Sequence, residues 1–238
     1  SYNSQTYETR QTFSGTNVHV LNCLFRSINS GSDGGAFYCY NSFTCLLVES
    51  SSFFSCKTSS NHGGAIFFSC SGGQCVLDKV CGYDCCSTNP SGNKYYQFGY
   101  ICLSDVVSYK NYVNYSSIVR CVNVNSNSYY TLGLFYGKIC CPSVNFSMNK
   151  CNNQPIIYHP STDSNSVTCS FSYSSFADNI ATRYCVFYLY RTGSKYEMKS
   201  CNILRNTESS SGSYGIIYTS GNMNIDDCCI LENTATYI

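Results

Sequence analysis

The stretch SFADN at residues 175–179 recurs as NILRN at residues 202–206 and as CILEN at residues 229–233. In each copy a bulky apolar residue is followed three positions later by asparagine. Upstream the same spacing ends in cysteine and, in the first copy, in isoleucine. The eight pairs are Phe25/Ile28, Phe53/Cys56, Tyr83/Cys86, Ile118/Cys121, Met148/Cys151, Phe176/Asn179, Ile203/Asn206 and Ile230/Asn233. A repeat of 27 to 35 residues sustained over the chain predicts stacked units, with the apolar members forming one continuous core.

Each repeat contains up to three short apolar segments. A second one follows the pair as GGAF at residues 34–37 and GGAI at residues 63–66, and a third precedes it as CLLVES at residues 45–50 and CVLDKV at residues 75–80. Alternating segments rich in Val, Ile, Leu and Phe are typical of half-buried strands, and the Gly, Ser and Asn clusters between them are typical of turns.

These observations predict an all-β fold, a right-handed parallel β-helix of about eight coils with roughly 28 residues each. Residues 1–17 form an N-terminal segment that could cap the first coil. Residues 18–238 form the β-helix, which we expect to be truncated within its last coil.

The composition argues against several classes of function. Charged residues make up 11% of the chain and the net charge is +1, without a basic stripe, so we expect no nucleic-acid partner. No run of 18 apolar residues predicts a membrane span in this fragment. Asp226 and Asp227 are the one adjacent pair of acids, and their side chains should diverge, while His19, His62 and His159 fall in different coils. We therefore expect no catalytic residues, no cofactor and no metal site, and hence no enzyme.

The combination of Phe-x-x-Asn, as at residues 176–179, with Gly-Gly-Ala-Ile, as at residues 63–66, resembles the repeat of the chlamydial polymorphic outer-membrane proteins. It is also similar to β-helical surface proteins of some flagellated protists. The resemblance covers residues 18–234, although Cys replaces Asn in four repeats and two Gly-Gly-Ala elements are intact. It implies an adhesin-like, β-helical region, and the abundance of Cys, Tyr, Asn and Ser favours a eukaryotic relative.

Residues at equivalent positions of successive coils lie about 4.8 Å apart, so a repeated residue type forms a ladder. We expect a structural amide ladder of Asn179, Asn206 and Asn233. The same spacing allows disulfides, and if the protein is secreted we expect Cys56 bridged to Cys86, Cys121 to Cys151 and Cys201 to Cys228. The count of 19 cysteines is odd and free thiols are good core residues, so a fully reduced set is the alternative.

A row of aromatic residues follows the second segment of each repeat. Because strand side chains alternate between faces, we expect these rings on the outside as a stripe that a protein or glycan partner could grip, or that merely stiffens its own sheet. The row consists of Tyr38, Phe67, Tyr136, Tyr158, Tyr188 and Tyr218.

Two functions remain open at this stage. The first is a surface adhesin or coat-like protein at the cell surface or outside the cell, where the sequons at Asn114 and Asn145 could carry glycans. The second is an intracellular scaffold on a cytoskeletal or flagellar filament, with reduced cysteines. In either case the chain could be part of a larger chain or filament.

Overall fold

The computed structural model describes residues 1–235 except Ser14, Ser42, Ser71, 89–95, 123–128, Arg183 and 210–213. It confirms the parallel β-solenoid, with about seven turns spaced about 29 residues apart and no helix among the described residues. Each turn contributes one strand to each of three long parallel sheets, in the order first, second, third. The longest repeat step, 35 residues from Tyr83 to Ile118, predicts extra loop at residues 90–93 and 108–112. The first of these lies outside the described residues, and the second overlaps a strand that begins at Lys110.

The first sheet has nine strands: β1 (Tyr2–Asn3), β4 (Asn17–Leu21), β8 (Cys45–Glu49), β12 (Gln74–Asp78), β16 (Lys110–Asn114), β19 (Lys138–Pro142), β23 (Val167–Ser172), β27 (Lys195–Lys199) and β31 (Asn222–Asp226). The second sheet also has nine: β2 (Thr6–Tyr7), β5 (Leu24–Arg26), β9 (Ser52–Phe54), β13 (Cys81–Tyr83), β17 (Ser117–Val119), β20 (Asn145–Ser147), β24 (Ser175–Ala177), β28 (Asn202–Leu204) and β32 (Cys229–Leu231).

The third sheet has eight strands: β3 (Gln11–Thr12), β7 (Phe37–Asn41), β11 (Ile66–Cys70), β15 (Tyr96–Cys102), β18 (Tyr130–Phe135), β22 (Gln154–His159), β26 (Phe187–Leu189) and β30 (Ile217–Thr219). Two three-stranded sheets follow the second sheet: β6 (Asn29–Ser30), β10 (Lys57–Thr58) and β14 (Cys86–Ser87), then β21 (Lys150–Cys151), β25 (Ile180–Ala181) and β29 (Thr207–Glu208). The segment 1–17 thus supplies the outermost strand of each long sheet.

The predicted core row is present in the second sheet, with corrections in three coils. Phe25, Phe53, Ile118, Phe176 and Ile203 are buried, and the Phe25 and Phe53 rings stack at 4.9 Å. In the other coils the prediction missed the residue or its burial. Gly82, not Tyr83, pairs with Phe53 and Ile118; Phe146, not Met148, pairs with Ile118 and Phe176; and Ile230 is in register with Ile203 but is 37% exposed in the terminal coil.

Met148 was misplaced because it belongs to a bend, not to a strand. One residue with positive φ lies on each side of every strand of the second sheet from β5 onward. The residue before the strand is Asn22, Ser50, Lys79, Tyr115, Ser143, Tyr173, Ser200 or Asp227, and the residue after it is Ser27, Ser55, Asp84, Arg120, Met148, Asp178, Arg205 or Glu232. Within the stack, the amide of each bend residue donates to a carbonyl of the next coil, as Met148 does to Ala177 at 3.0 Å. The bends therefore turn the chain without interrupting the pairing of coils.

Gly82 leaves a gap in the core row that an aromatic ring fills. A Cβ at Gly82 would lie 2.3 Å from Cε2 of Phe98, a fully buried residue of the third sheet. The Phe98 ring also packs edge-on against Phe53, with centroids 6.0 Å apart. The volume of the missing side chain is thus supplied from the opposite sheet, as close packing of interiors requires.

Candidate binding face

The outer surface of the third sheet, here called the aromatic face, carries two rows of rings. In the first row the register aligns Tyr38, Phe67 and Tyr100, then Gly133 and Ile157, then Tyr188 and Tyr218. The second row, two residues further along each strand, contains Tyr40, Phe135, His159 and Tyr190. The two rows are in contact, because the ring centroids of Tyr100 and Phe135 are 5.4 Å apart. Within the second row, the Phe135 and His159 centroids are 5.7 Å apart and those of His159 and Tyr190 are 5.4 Å apart.

The rings of the first row are stacked against one another. The centroids of Tyr38 and Phe67 are 4.8 Å apart at 14°, and those of Tyr188 and Tyr218 are 5.2 Å apart at 11°. Neighbouring ring faces therefore cover each other, and the face presents ring edges and phenol hydroxyls outward. Burial raises the pKa of Tyr188 to about 12, with a further contribution from Tyr218, so this hydroxyl is a protonated donor at neutral pH.

Two of the six predicted members of the row are wrong, and a third, Phe67, is in register with Tyr38 but is only 6% exposed. Tyr158 pairs with Leu134 and Leu189, and it points into the core, with 2% exposure and its hydroxyl 3.9 Å from Sγ of Cys141. The outward residue of that strand is Ile157, because a shift of one residue exchanges the two faces of a strand. Tyr136 follows the end of β18 in a bend, with φ 64°.

Tyr100 and the second row were missed. The Tyr-x-Tyr spacing at residues 38–40 and 188–190 would have shown two outward positions in one strand. Gly133 interrupts the first row, and Tyr96 covers it, since a Cβ at Gly133 would lie 2.3 Å from Cε1 of Tyr96. Tyr96 also contacts Tyr100 and Tyr130, with centroids 4.9 and 5.0 Å away, so aromatic packing continues past the glycine.

Among the described residues, the charged side chains that contact the aromatic face come from outside its strands. None of the eight strands of the third sheet contains Asp, Glu, Lys or Arg. Arg10 lies 5.1 Å from the Tyr38 ring, and Arg191 lies 5.6 Å from the Tyr136 ring and forms an ion pair with Asp105. In both contacts a guanidinium is attracted to an aromatic ring by a cation–π interaction, while the strands of the aromatic face remain uncharged.

A cleft adjoins the face at its Arg191 end. It is lined by His159, Thr162, Tyr190, Arg191 and Thr192, and Arg191 Nε donates to Thr162 Oγ1 at 3.0 Å. Burial, reinforced by the nearby guanidinium, lowers the pKa of His159. The imidazole is therefore neutral at physiological pH, and the cleft offers a neutral ring together with a paired guanidinium.

The predicted amide ladder is present and is longer than expected. Asn149 Nδ2 donates to Asn179 Oδ1 at 3.1 Å, Asn179 Nδ2 to Asn206 Oδ1 at 3.0 Å, and Asn206 Nδ2 to Asn233 Oδ1 at 3.0 Å. Asn149 was missed because the repeat was counted from Met148, although Phe146-x-x-Asn149 matches the same pattern as Phe176-x-x-Asn179. The amides satisfy carbonyls inside the bend, which is a structural role.

The structure revises the expected register of the cysteines. Cys86 pairs with Lys57, and Val122, next to Cys121, bridges to Lys150, so neither Cys86 nor Cys151 lies opposite the cysteine expected to bridge to it. Cys201 and Cys228 do lie in register, with the Cys201 amide donating to Cys228 Sγ at 3.4 Å. All nineteen cysteines are free thiols and most are buried, as packing residues of the core.

The remaining sequence candidates are scattered over other surfaces. Asn145 is exposed and Asn114 is half-buried, on β20 and β16. His19 Nε2 lies 3.3 Å from Glu49 Oε2 on the first sheet, and His62 stacks on Tyr100 at 5.0 Å beside the aromatic face. Within the part of the chain that the structure describes, no group of three or more His, Cys, Asp or Glu could hold a metal ion, and no helix is long and apolar enough to cross a membrane.

No protein-family model matches the chain, and no curated protein or solved structure is significantly similar to it.

Proposed function

We propose that this β-solenoid is a non-enzymatic surface adhesin or coat-like protein that binds a protein or glycan partner along its aromatic face. The observation that carries the proposal is the absence of charge from all eight strands of the third sheet, combined with two rows of outward rings. The first sheet provides the contrast, since its outward positions include Glu49, Asp78 and Glu197. Outward positions of this solenoid therefore accommodate charged residues. Their absence from the strands of the third sheet is consequently not a requirement of the fold, and a binding role would explain it.

A rigid row of tyrosines suits recognition. Tyr loses little conformational entropy on binding, and it combines apolar area with a hydroxyl, which is why it is enriched at binding hot spots. Because the ring faces are stacked, a partner would meet edges and hydroxyls. The sequence resemblance to polymorphic outer-membrane proteins, whose repeats imply adhesin-like surface regions, supports the same proposal, as does the parallel solenoid itself.

The test compares two double variants of equal composition. Tyr188→Ser with Tyr190→Ser removes two rings from the face, whereas Tyr115→Ser with Tyr173→Ser removes two rings from exposed bends where Ser occurs naturally in other coils. Beads coated with each protein are applied to cultured epithelial cells, before and after enzymatic removal of surface glycans. We expect the face variant to lose at least tenfold in bead adhesion and the bend variant to retain it.

Thermal melting of both variants separates binding from folding. If wild type and both double variants adhere equally, the aromatic face has a structural role only. The same conclusion holds if adhesion falls only in a variant whose melting temperature also falls. The pair Tyr188→Phe with Tyr190→Phe keeps the stacking and removes only the hydroxyls, so it reports how much of the adhesion depends on hydrogen bonds. Retained adhesion after glycan removal would indicate a protein partner.

A second candidate is an intracellular scaffold on a cytoskeletal or flagellar filament. The burial of most cysteines favours it, since a buried thiol packs as a small apolar residue without being oxidised, and reduced thiols are the rule in the cytosol. Mass spectrometry of the protein from its own source, with thiols blocked at lysis, distinguishes the two locations. Co-sedimentation with polymerised tubulin, using the same variants, then tests whether the aromatic face binds a filament.

A further inference from the structure

The ladder position three residues after the core row holds thiols in three consecutive coils. Counting from Phe53, Gly82 and Ile118, it is occupied by Cys56, Cys85 and Cys121, and the next coil continues with Asn149. Each of the three is fully buried. Cys56 Sγ donates to the Phe25 carbonyl at 3.5 Å and Cys85 Sγ to the Phe53 carbonyl at 3.4 Å, so both thiols hydrogen-bond to the preceding coil, as the amides do further along.

The three thiols form a connected row. The Cys85 thiol is within hydrogen-bonding contact of Cys121 on one side and Cys56 on the other. Burial opposes ionisation of Cys85, but the hydrogen bonds from its two neighbours outweigh it and lower its pKa. The pKa of Cys121 is raised, first by its own burial. The central sulfur of the row therefore has a thiol neighbour on either side.

We propose that Cys85 is the shared central thiol of a disulfide site, in which it bonds to either Cys56 or Cys121 and never to both. Adjacent coils place equivalent Cα atoms about 4.8 Å apart, within the range of a disulfide. Cys56 and Cys121 are two coils apart, about 9.6 Å, which exceeds the limit of about 7 Å. One thiol of the three consequently stays reduced in every oxidised molecule. This inference does not depend on the proposed binding face.

The oxidant is a low-molecular-weight disulfide such as oxidised glutathione. In the open chain a thiolate of the row attacks it, forming a mixed disulfide and releasing one glutathione thiolate; a second cysteine of the row then attacks the protein sulfur of that mixed disulfide, releases the second glutathione thiolate and closes a disulfide that includes Cys85. Two protein thiols lose two electrons and two protons, and two glutathione thiols are formed. Because the row is fully buried, this exchange takes place while the coils are open, during folding or local unfolding.

The third thiol allows the bond to move without further oxidant. In the Cys56–Cys85 form, the Cys121 thiolate attacks the Cys85 sulfur, a new bond forms, and Cys56 leaves as a thiolate that takes up the proton lost by Cys121. The three cysteines occupy equivalent positions of adjacent coils, so the Cys121 thiol lies on the side of Cys85 away from Cys56. The disulfide therefore cross-links the coil of Cys85 either to the coil of Cys56 or to the coil of Cys121.

The test maps disulfides after oxidative refolding of the reduced, unfolded protein in a buffer of reduced and oxidised glutathione. Thiols are then alkylated, and the digest is analysed by mass spectrometry. We expect cross-links of Cys85 to Cys56, to Cys121, or to each in different molecules, with one alkylated thiol in the row. Cys56→Asn should leave only Cys85–Cys121, Cys121→Asn only Cys56–Cys85, and Cys85→Asn neither. Asn is the natural ladder residue of the following coils and is therefore the substitution the site accommodates.

The Cys201–Cys228 pair is the control in all four proteins, since it lies at a separate ladder position and should be cross-linked equally in each. A Cys56–Cys121 cross-link in the Cys85→Asn variant would overturn the proposal. So would a Cys56–Cys86 or Cys121–Cys151 cross-link, or complete alkylation of the row in refolded wild type. The disulfide map of the wild type alone distinguishes the Cys85 pairings from the Cys56–Cys86 and Cys121–Cys151 pairings. The test therefore remains decisive even if one of the variants does not refold.

Discussion

Removing one amide from the middle of the ladder should destabilise the solenoid more than any surface change of the same size. Asn179 is fully buried, and its side chain forms four hydrogen bonds: Oδ1 accepts from the amide and the side chain of Asn149 at 3.1 Å each, and Nδ2 donates to the Phe146 carbonyl at 2.8 Å and to Asn206 Oδ1 at 3.0 Å. At about 1 kcal/mol net for each bond, Asn179→Ala should cost about 4 kcal/mol. The groups left behind are themselves buried, which prevents water from replacing the lost partner.

The matched control is Asn202→Ala, an exposed asparagine in the next coil, which should cost less than about 0.5 kcal/mol. Asn179→Cys should fall between the two, because a thiol is a weaker donor and already occupies this position at Cys121. The free energy of unfolding of all three variants is measured by equilibrium unfolding in urea, followed by circular dichroism. The substitutions lie outside the terminal coils of the solenoid, where fraying would contribute most. A cost for Asn179→Ala within 1 kcal/mol of the control would refute a ladder held by these bonds.

Three further predictions concern separate parts of the molecule. Gly82→Leu and Phe98→Ala should each destabilise the core, by about 3 to 5 kcal/mol for Phe98→Ala. The double variant should cost less than the sum of the two, because the new leucine side chain occupies the volume of the lost ring; additivity in thermal melts would disprove the complementarity. The pKa of His159 is lowered in the folded state, so as the pH falls the unfolded chain binds the proton first. The free energy of unfolding should therefore decline as the pH falls below about 6.5. His159→Gln should reduce that decline, measured by urea unfolding at about pH 5 to 8. Under oxidising conditions a Cys201–Cys228 disulfide should stabilise the last coils by up to about 3 to 4 kcal/mol, measured as the part of the difference between oxidised and reduced protein that Cys228→Ser abolishes, and an oxidised Cys228→Ser variant as stable as oxidised wild type would contradict the pairing.

The repeat in the sequence was sufficient to predict the parallel solenoid and the stacking of Phe25, Phe53 and Phe176, because a residue type recurring at a fixed step has one simple structural explanation. It was insufficient where two registers fit the pattern equally well. Met148 is apolar and stands three residues before a cysteine, yet Phe146 takes the core position and leaves Met148 in a bend. A positive-φ bend of one residue has no sequence signature here, since Ser, Asp, Arg, Tyr and Met all occupy it.

The same ambiguity affected the binding face. At residues 155–158 all four side chains are apolar or aromatic, so alternation gave no indication of which face Tyr158 occupies. Only pairing with Leu134 and Leu189 fixes it inside. The core position of Gly82 could not be predicted for a different reason. The ring that fills the space of its missing side chain belongs to Phe98, sixteen residues later and on another sheet, and the pattern of a single sequence carries no information on such contacts.

The distribution of residue types over the three sheets bears on where function can lie. All three sheets share one pitch and one core, so the demands of stacking are the same on each, and the outward positions of the first sheet meet them with a mixture of charged and apolar side chains. Stiffening by stacked rings is an advantage that any sheet could use, yet the rings are concentrated on the third. Each stacked aromatic pair contributes about 0.5 to 1.5 kcal/mol, a small increment for a solenoid whose ladders already provide many bonds. The absence of charged residues from the eight strands of the third sheet gains little in stability, whereas the proposed partner could cover such strands without desolvating an ion.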